Sequence, residues 1–269
     1  MSIAVTDAFG KPFELAEPAR RIISLIPSIT EIFFSLGVGD RVVGVTKFCT
    51  QPPDGVKSKP KVGGQKNPRL DAIIDLKPDL VVANVEENRK EDVEAMWATG
   101  LKVLVTYPRT VREGIQLIRD LGLLAGRSDC AETIAVRCET ALAEVERGAA
   151  GRARVRVFCP IWRKPYMTIN GDTFVDDMLR TCGGENIFRD RPQRYPTVTL
   201  EEMAALRPDL VLLPDEPYPF GEKHLTDFQG FPEVPAVRTG RLRLVDGKVL
   251  CWYGPRIAGS LRTLGKILW

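Results

Sequence analysis

Two stretches of the chain carry the same succession of polar and apolar positions. Residues 70–84 read LDAIIDLKPDLVVAN and residues 200–214 read LEEMAALRPDLVLLP, 130 residues apart. In each, a leucine and an acidic residue open a short run of helical periodicity. Lys or Arg, Pro and Asp then interrupt it, and a Leu/Val run follows. The basic residue and the proline end the helix, and the apolar run after Pro78 or Pro208 has the length of a buried parallel strand. One such unit is common in α/β proteins. Two, at matched places in the two halves, predict a pair of similar lobes rather than one continuous sheet.

The flanking patterns extend the repeat. RIISLIPSITEIFFSLGVGDRVVGVT (21–46) places an apolar strand at Ile22–Ile26, then Pro27 and a helix. RVRVFCPIWRKPYMTINGDTFVDDMLRTCGG (154–184) places a strand at Val155–Cys159, then Pro160, a longer loop and a helix. LKVLVTYP (101–108) follows Gly100 and RLRLVDGKVL (241–250) follows Gly240, each read as a further strand. Each half therefore runs strand, helix, strand, helix, strand, as expected for a parallel sheet with helices on both faces. Ser28-Ile-Thr-Glu31 and Thr199-Leu-Glu-Glu202 have capping-box spacing and are expected to start helices.

Between the halves, from about Val111 to Gly148, no strand pattern occurs. Ile134, Cys138, Ala141 or Leu142, and Val145 fall on one helical face, and Gly148 and Gly151 are expected to end the run. A helix from about Ser128 to Arg147 spans roughly 30 Å and would act as a stiff strut that permits little hinge motion. The fold expected is α/β, two similar lobes with parallel sheets joined by one long linker helix. The N-terminal lobe would take residues 1–110, the linker region 111–150 and the C-terminal lobe 151–269.

Composition narrows the partners. With 269 residues and 44% apolar content the chain can bury two ordinary cores. A net charge of +3 with no basic stripe does not favour nucleic acid. No apolar run is long enough to span a membrane. MSIAVTDAFGKPFELAEPAR lacks the charged head, apolar stretch and cleavage site of a secretory signal, so either Met1 is the native start of a cytosolic protein or a signal once preceded it. The six cysteines form no CxxC pair, and Cys130 and Cys138, eight apart on one helix, are too distant for a disulfide. Reduced, mostly buried thiols are expected, which mildly favours a reducing compartment.

Ligands of open α/β sheets sit outside the carboxyl ends of the strands. That rule selects Pro27–Ser28, Phe48–Cys49, Asn84–Val85 and Tyr107–Pro108 in the first half, with Cys159–Tyr166, Pro214–Tyr218, Cys251–Arg256 and the region of Tyr195 in the second. These segments carry Phe48, Trp162, Tyr166, Tyr195, Tyr218, Trp252 and Tyr253 together with Arg163, Lys164, Arg194 and Arg256. Rings offer flat apolar area and guanidinium groups offer forked donors, a pairing that suits a large, partly planar ligand with acceptor oxygens. Asp71 and Glu201 occupy matched places in a helix's first turn, where the macrodipole accepts a carboxylate.

Enzyme signatures are missing. His224, the only histidine, lies in a stretch read as exposed loop, which removes a three-histidine metal site and leaves little for a Ser-His-Asp arrangement. No P-loop, GxGxxG or GxSxG occurs. Cys49, Cys159 and Cys251 each follow an expected strand, so a thiolate or soft-metal role for them stays open.

ARRIISLIPSITEIFFSLGVGDRVVGVT (19–46), QPP (51–53), VGG (62–64), LKPDLVVA (76–83) and CGGENIFRD (182–190), in that order, resemble the periplasmic cobalamin-binding proteins. More broadly the chain is similar to the iron-siderophore receptors of ABC importers, the class with a helical backbone (class III). The resemblance runs from about Val5 to the C-terminus. It implies two α/β lobes joined by one long helix, a ligand held in the cleft between them, and no catalysis. It also implies an extracytoplasmic location, a monomer, and docking of one carboxylate per lobe onto arginines of an ABC permease dimer, by motif position Asp71 and Glu201. Asp71 stands where a glutamate is usual.

Combining residues and resemblance, the expected ligand contacts are Pro27, Ser28, Phe48, Asn84, Trp162, Arg163, Tyr166, Tyr195, Trp252 and Arg256. Phe48 and Tyr195 sit where family aromatics occur, whereas Gln65 and Asn84 stand where tryptophans would be expected. The expected cargo is a metal chelate, corrinoid first and ferric siderophore or haem-like chelate second, with no resident cofactor or protein-bound metal. The alternative is a cytosolic corrinoid or metal-cofactor chaperone or sensor on the same fold.

Overall fold

The repeated motif becomes structure through a backbone turn at the same place in each copy. The computed structural model describes residues 3–269, so Met1 lies outside the described residues. The first half contains β1 (Ile22–Ser24), α1 (Pro27–Ser35), β2 (Val42–Val45), α2 (Leu70–Asp75), β3 (Leu80–Asn84), α3 (Lys90–Ala98) and β4 (Val103–Thr106). Helices α4 (Val111–Leu124) and α5 (Ser128–Ala149) follow. The second half contains β5 (Val155–Phe158), α6 (Phe174–Thr181), β6 (Gly184–Asn186), α7 (Leu200–Leu206), β7 (Leu210–Pro214), β8 (Leu242–Val245) and α8 (Ile257–Leu268). The strand orders are β2-β1-β3-β4 and β6-β5-β7-β8, parallel throughout. The halves are thus two sheets of one topology, as the repeat predicts.

Helices α2 and α7 stop where Lys77 and Arg207 take the left-handed conformation, with φ of 45° and 49°. The proline that follows cannot continue a helix. Arg21, at the start of β1, then reaches the exposed carbonyls of α2. Its Nη2 donates to Leu76 O at 2.6 Å and its Nε to Lys77 O at 3.0 Å. Arg156 repeats this on α7, donating from Nη2 to Leu206 O at 2.8 Å. A cation at a helix C-terminus also complements the macrodipole. The motif's aspartates close the unit. Asp79 accepts the backbone N–H groups of Arg20 (2.8 Å) and Arg21 (3.0 Å), and Asp209 accepts that of Arg156 (3.0 Å).

The chain divides into two compact units. The first takes residues through Pro108, Glu113–Arg137 and Tyr253–Pro255; the second takes Arg109–Arg112, Cys138–Trp252 and Arg256–Trp269. Helix α5, 22 residues long, contributes to both. In the first unit the return segment passes so close to α1 that a Cβ on Gly254 would stand 2.6 Å from Ile32 Cγ1. Gly254 also has φ +107°, so only glycine fits there. Central strands β3 and β7 are buried along their whole length. In the turn of an N-terminal hairpin (Ile3–Thr6 and Pro12–Leu15), Ala8 N–H donates to Val105 O of edge strand β4 at 2.8 Å.

Several local expectations change. Thr199 does form a capping box, its Oγ1 accepting from Glu202 N (3.1 Å) while Glu202 accepts from Thr199 N (2.8 Å). Ser28 does not: α1 begins at Pro27, two residues before the start a Ser28 cap would give, because Pro27 at its first position has its φ preset and no N–H to satisfy. Gly148 lies inside the last turn of α5, and the turn falls to Gly151 with φ +73°. RLRLVDGKVL is strand only to Val245; Lys248–Cys251 is helical, so Cys251 does not follow a strand directly. His224 is buried in a 3-10 helix rather than exposed in a loop. Its Nδ1 accepts from Gly221 N at 2.9 Å and its Nε2 lies 3.3 Å from the Tyr218 hydroxyl.

Replacing Asp79 with alanine orphans two backbone donors and should cost about 1–3 kcal/mol in urea denaturation. Asp209→Ala, which orphans one, should cost less. Equal, negligible losses would show that the motif's aspartates do not tie the strands.

Candidate ligand-binding surfaces

In the first unit the carboxyl ends of β1, β2 and β3 present the expected segments. Pro27 is half-buried and Ser28 is buried inside the first turn of α1. Phe48, two residues past Thr46 on the loop after β2, is 50% exposed, with Lys47 Nζ 5.0 Å from its ring centre. A buried polar knot anchors this loop. Thr30 Oγ1 lies 2.9 Å from Ser24 Oγ and 3.1 Å from Cys49 Sγ, and Thr46 Oγ1 lies 3.2 Å from the same sulfur. Cys49 thus acts as a packed hydrogen-bonding group that fixes its neighbour Phe48.

Asn84, at the end of β3, is buried and fully engaged. Its Oδ1 accepts from Glu86 N at 2.8 Å, and its Nδ2 donates to Tyr253 Oη at 3.1 Å and to Thr106 Oγ1 at 3.4 Å. Asn88 continues the network, accepting from Asn84 N and donating to Gln65 O, each at 2.9 Å. Asn84 and Tyr253 therefore hold the loops after β3 and β4 in place.

The second unit carries a rigid aromatic surface. After β5, Cys159 and Pro160, the chain makes a narrow hairpin in which Ile161 N donates to Met167 O (2.8 Å) and Met167 N to Trp162 O (3.2 Å). Arg163 and Tyr166, across the hairpin turn from each other, converge on Asp227. Arg163 Nε and Nη2 lie 2.6 and 2.9 Å from its two oxygens, and the Tyr166 hydroxyl donates at 2.5 Å. A forked guanidinium–carboxylate pair of this kind fixes orientation as well as charge. The Arg163 guanidinium, reinforced by Tyr166, holds the Asp227 carboxyl below the ordinary carboxylate range. Burial, with the Asp227 charge adding to it, pushes the Tyr166 hydroxyl up. Trp162, 44% exposed, meets Tyr218 edge-on at 5.6 Å, Tyr218 packs on Phe220 at 4.7 Å, and Phe220 stacks on Tyr166.

Trp252, expected as a stacking ring, is instead buried at 8% exposure. The Arg256 guanidinium lies 5.3 Å and Lys248 Nζ 5.9 Å from its ring, within cation–π range. Burial raises the pKa of nearby Glu216 against the opposing pull of Lys248. Glu216 fills the space where Gly247 has no side chain, since a Cβ there would stand 2.4 Å from Glu216 Cγ. Tyr195 is 38% exposed, with Arg194 5.8 Å from its ring and Asp172 accepting from both Arg194 (2.7 Å) and Arg109 (3.1 Å).

All six thiols are free, and four are buried. Burial pushes Cys159 up to about 12, which leaves it a neutral thiol at physiological pH. No group of three or more His, Cys, Asp or Glu suited to a metal ion occurs among the described residues. Asp71 and Glu201 are exposed in the first turns of α2 and α7, with no protein partner among the described residues. Asp227 escaped the sequence reading because it lies in no motif, and Glu216 fell inside the selected segment Pro214–Tyr218 without being singled out. Only the fold brings Asp227 to Arg163, 64 positions away.

The family described as "Periplasmic binding protein" matches residues 22–249. The chain is 30% identical over 195 residues to the vitamin B12-binding protein of Vibrio campbellii, covering 72% of this chain and 70% of that one. It is 28% identical over 211 residues to the Vibrio cholerae counterpart, covering 78% and 76%. Among solved structures, the periplasmic heme-binding protein RhuT from Roseiflexus aligns with a TM-score of 0.81 at 27% identity, over 93% of this chain and 98% of that one. The periplasmic vitamin B12-binding protein BtuF of Vibrio cholerae aligns with a TM-score of 0.83 at 24% identity, over 93% and 97%, a likeness of fold.

A carboxyl held below its ordinary range stabilises the folded chain at neutral pH, and loses that contribution as pH falls from about 4 through its folded value. Wild-type stability in urea should therefore drop on acidification by more than that of Asp227→Asn, which lacks the ionised pair. Parallel pH profiles would show that the Asp227–Arg163 pair adds nothing to stability.

Proposed function

Since the chain belongs to the periplasmic binding protein family, we propose that it captures a metal-chelate nutrient and delivers it, unchanged, to an ABC permease dimer. A corrinoid is the first candidate cargo, and a ferric siderophore or haem-type chelate the second. The observation that carries this reading is that each unit presents an exposed ring at the carboxyl ends of its strands, held rigid from beneath: Phe48 above the Ser24–Thr30–Cys49 knot, and Trp162 above the Tyr218–Phe220 cluster. Preorganised rings lose little freedom on binding a flat chelate. Relatives named for vitamin B12 and solved neighbours named for heme support the chemical class.

In this reading Phe48, Trp162 and Tyr195 contact the chelate directly, with Pro27 and Ser28 at the rim. Asn84, Arg163 and Tyr166 position the surrounding loops, and Trp252 with Arg256 forms a cationic platform. The metal keeps its own chelator and no resident cofactor takes part. Asp71 and Glu201 dock the loaded protein on its permease outside the cytoplasm. The six free thiols favour the second reading, a cytosolic corrinoid or metal-cofactor chaperone or sensor on the same fold.

Titration with cyanocobalamin, haemin and several ferric siderophores, followed by calorimetry and absorbance, should identify one saturable chelate; failure of all three classes would overturn the proposal. With that chelate, Phe48→Ala and Trp162→Ala should each weaken affinity by about 1–3 kcal/mol. Unchanged affinity in both would remove the stacking role. The double variant Asp71→Lys/Glu201→Lys should keep solution affinity and lose uptake in cells. Lost affinity instead would place those carboxylates in the binding site.

A further inference from the structure

At the amino ends of the second unit's strands, opposite the aromatic surface, lies a cavity of about 490 Å³. Its wall carries Arg241, Arg243 and Lys266 and no acidic side chain, with Ile267, Leu268 and Trp269 supplying apolar area. Arg241 spends Nη2 on the carbonyls of Ile267 (3.3 Å) and Leu268 (2.7 Å), and Arg243 spends Nη1 on those of Gly240 (2.7 Å) and Leu242 (3.3 Å). The other guanidinium nitrogens of both arginines, and Lys266 Nζ, have no protein partner among the described residues.

The first unit supplies an internal comparison. The β3–β4 and β7–β8 registers match, pairing Val81 with Val103 and Val211 with Leu242. Arg243 therefore corresponds to Leu104, which is buried. The fold itself requires no cation at this position. Trp269 is 46% exposed yet fixed, its Nε1 donating to Cys182 O at 3.2 Å and the Arg152 guanidinium lying 5.0 Å from its ring. Beyond it, a second groove shares Lys266 and adds Arg152 and Arg262, the latter paired with Glu144.

We propose that this cavity binds an organic phosphate, with Arg241, Arg243 and Lys266 taking the phosphate oxygens and the apolar part resting on Trp269. Forked guanidinium donors match phosphate oxygens, and the volume lies within the range of small-molecule sites. The phosphate can belong to a soluble metabolite or to a lipid headgroup. Calorimetry of the full chain with ATP at low salt tests the first source. Cosedimentation with phosphatidylglycerol–phosphatidylcholine vesicles, against phosphatidylcholine alone, tests the second.

At least one probe should bind, more weakly as salt is raised, and by about tenfold or more less tightly in Arg243→Gln/Lys266→Gln. ATP binding alone assigns a soluble phosphate, and vesicle binding alone a headgroup. Neither probe binding, or undiminished affinity in a double variant whose circular dichroism is native, overturns the proposal. The chelate titrations should be unchanged in the same variant, so the two functions fail or stand separately.

Discussion

The contact on which both sheets depend is a carboxylate placed between two strand starts. A parallel strand cannot be reached by a tight turn, so each crossover must deliver its strand in register without help from a hairpin. Asp79 and Asp209 do this by accepting backbone N–H groups from the neighbouring strand, while Arg21 and Arg156 draw in the end of the preceding helix. One short motif thus ends a helix, starts a strand and sets its partner. Its recurrence explains why two halves with little sequence in common share one strand order.

The same economy shapes the binding surfaces. Loops at strand ends have few ladder hydrogen bonds to hold them, and in this chain buried polar groups supply the lack. Thr30, Thr46 and Cys49 hold one loop; Asn84, Asn88 and Tyr253 hold another; Asp227 holds the hairpin of Arg163 and Tyr166. Side-chain hydrogen bonds do the fixing, while Phe48 and Trp162 stay exposed on the loops so held.

Much of the scaffold was legible because it rests on local, periodic signals. The Leu/Val runs, the Lys/Arg-Pro-Asp stops and Gly100 and Gly240 announce strands and helix ends at short range. Ser28 misled because proline at the adjacent position competes for the start of α1 and wins by needing no donor partner. Strand β6, with Gly184, Glu185 and Asn186, has no apolar pattern and owes its pairing to β5 beside it. Site residues were less legible, since exposure depends on distant neighbours. The burial of Trp252 and its Lys248 and Arg256 neighbours come from the fold, and Asp227 announces itself by no pattern at all.

The return of Tyr253–Pro255 to the first unit also sets an order of events during synthesis. When Pro108 is joined to the nascent chain, the hydroxyl that will meet Asn84 is still 145 codons from being translated. At ordinary elongation rates that gap lasts roughly 7–30 s. Through that interval Asn84 Nδ2 has Thr106 but not Tyr253 to donate to, and the slot beside Ile32 that only Gly254 can enter stays open. The first unit is therefore completed only after most of the second has been made.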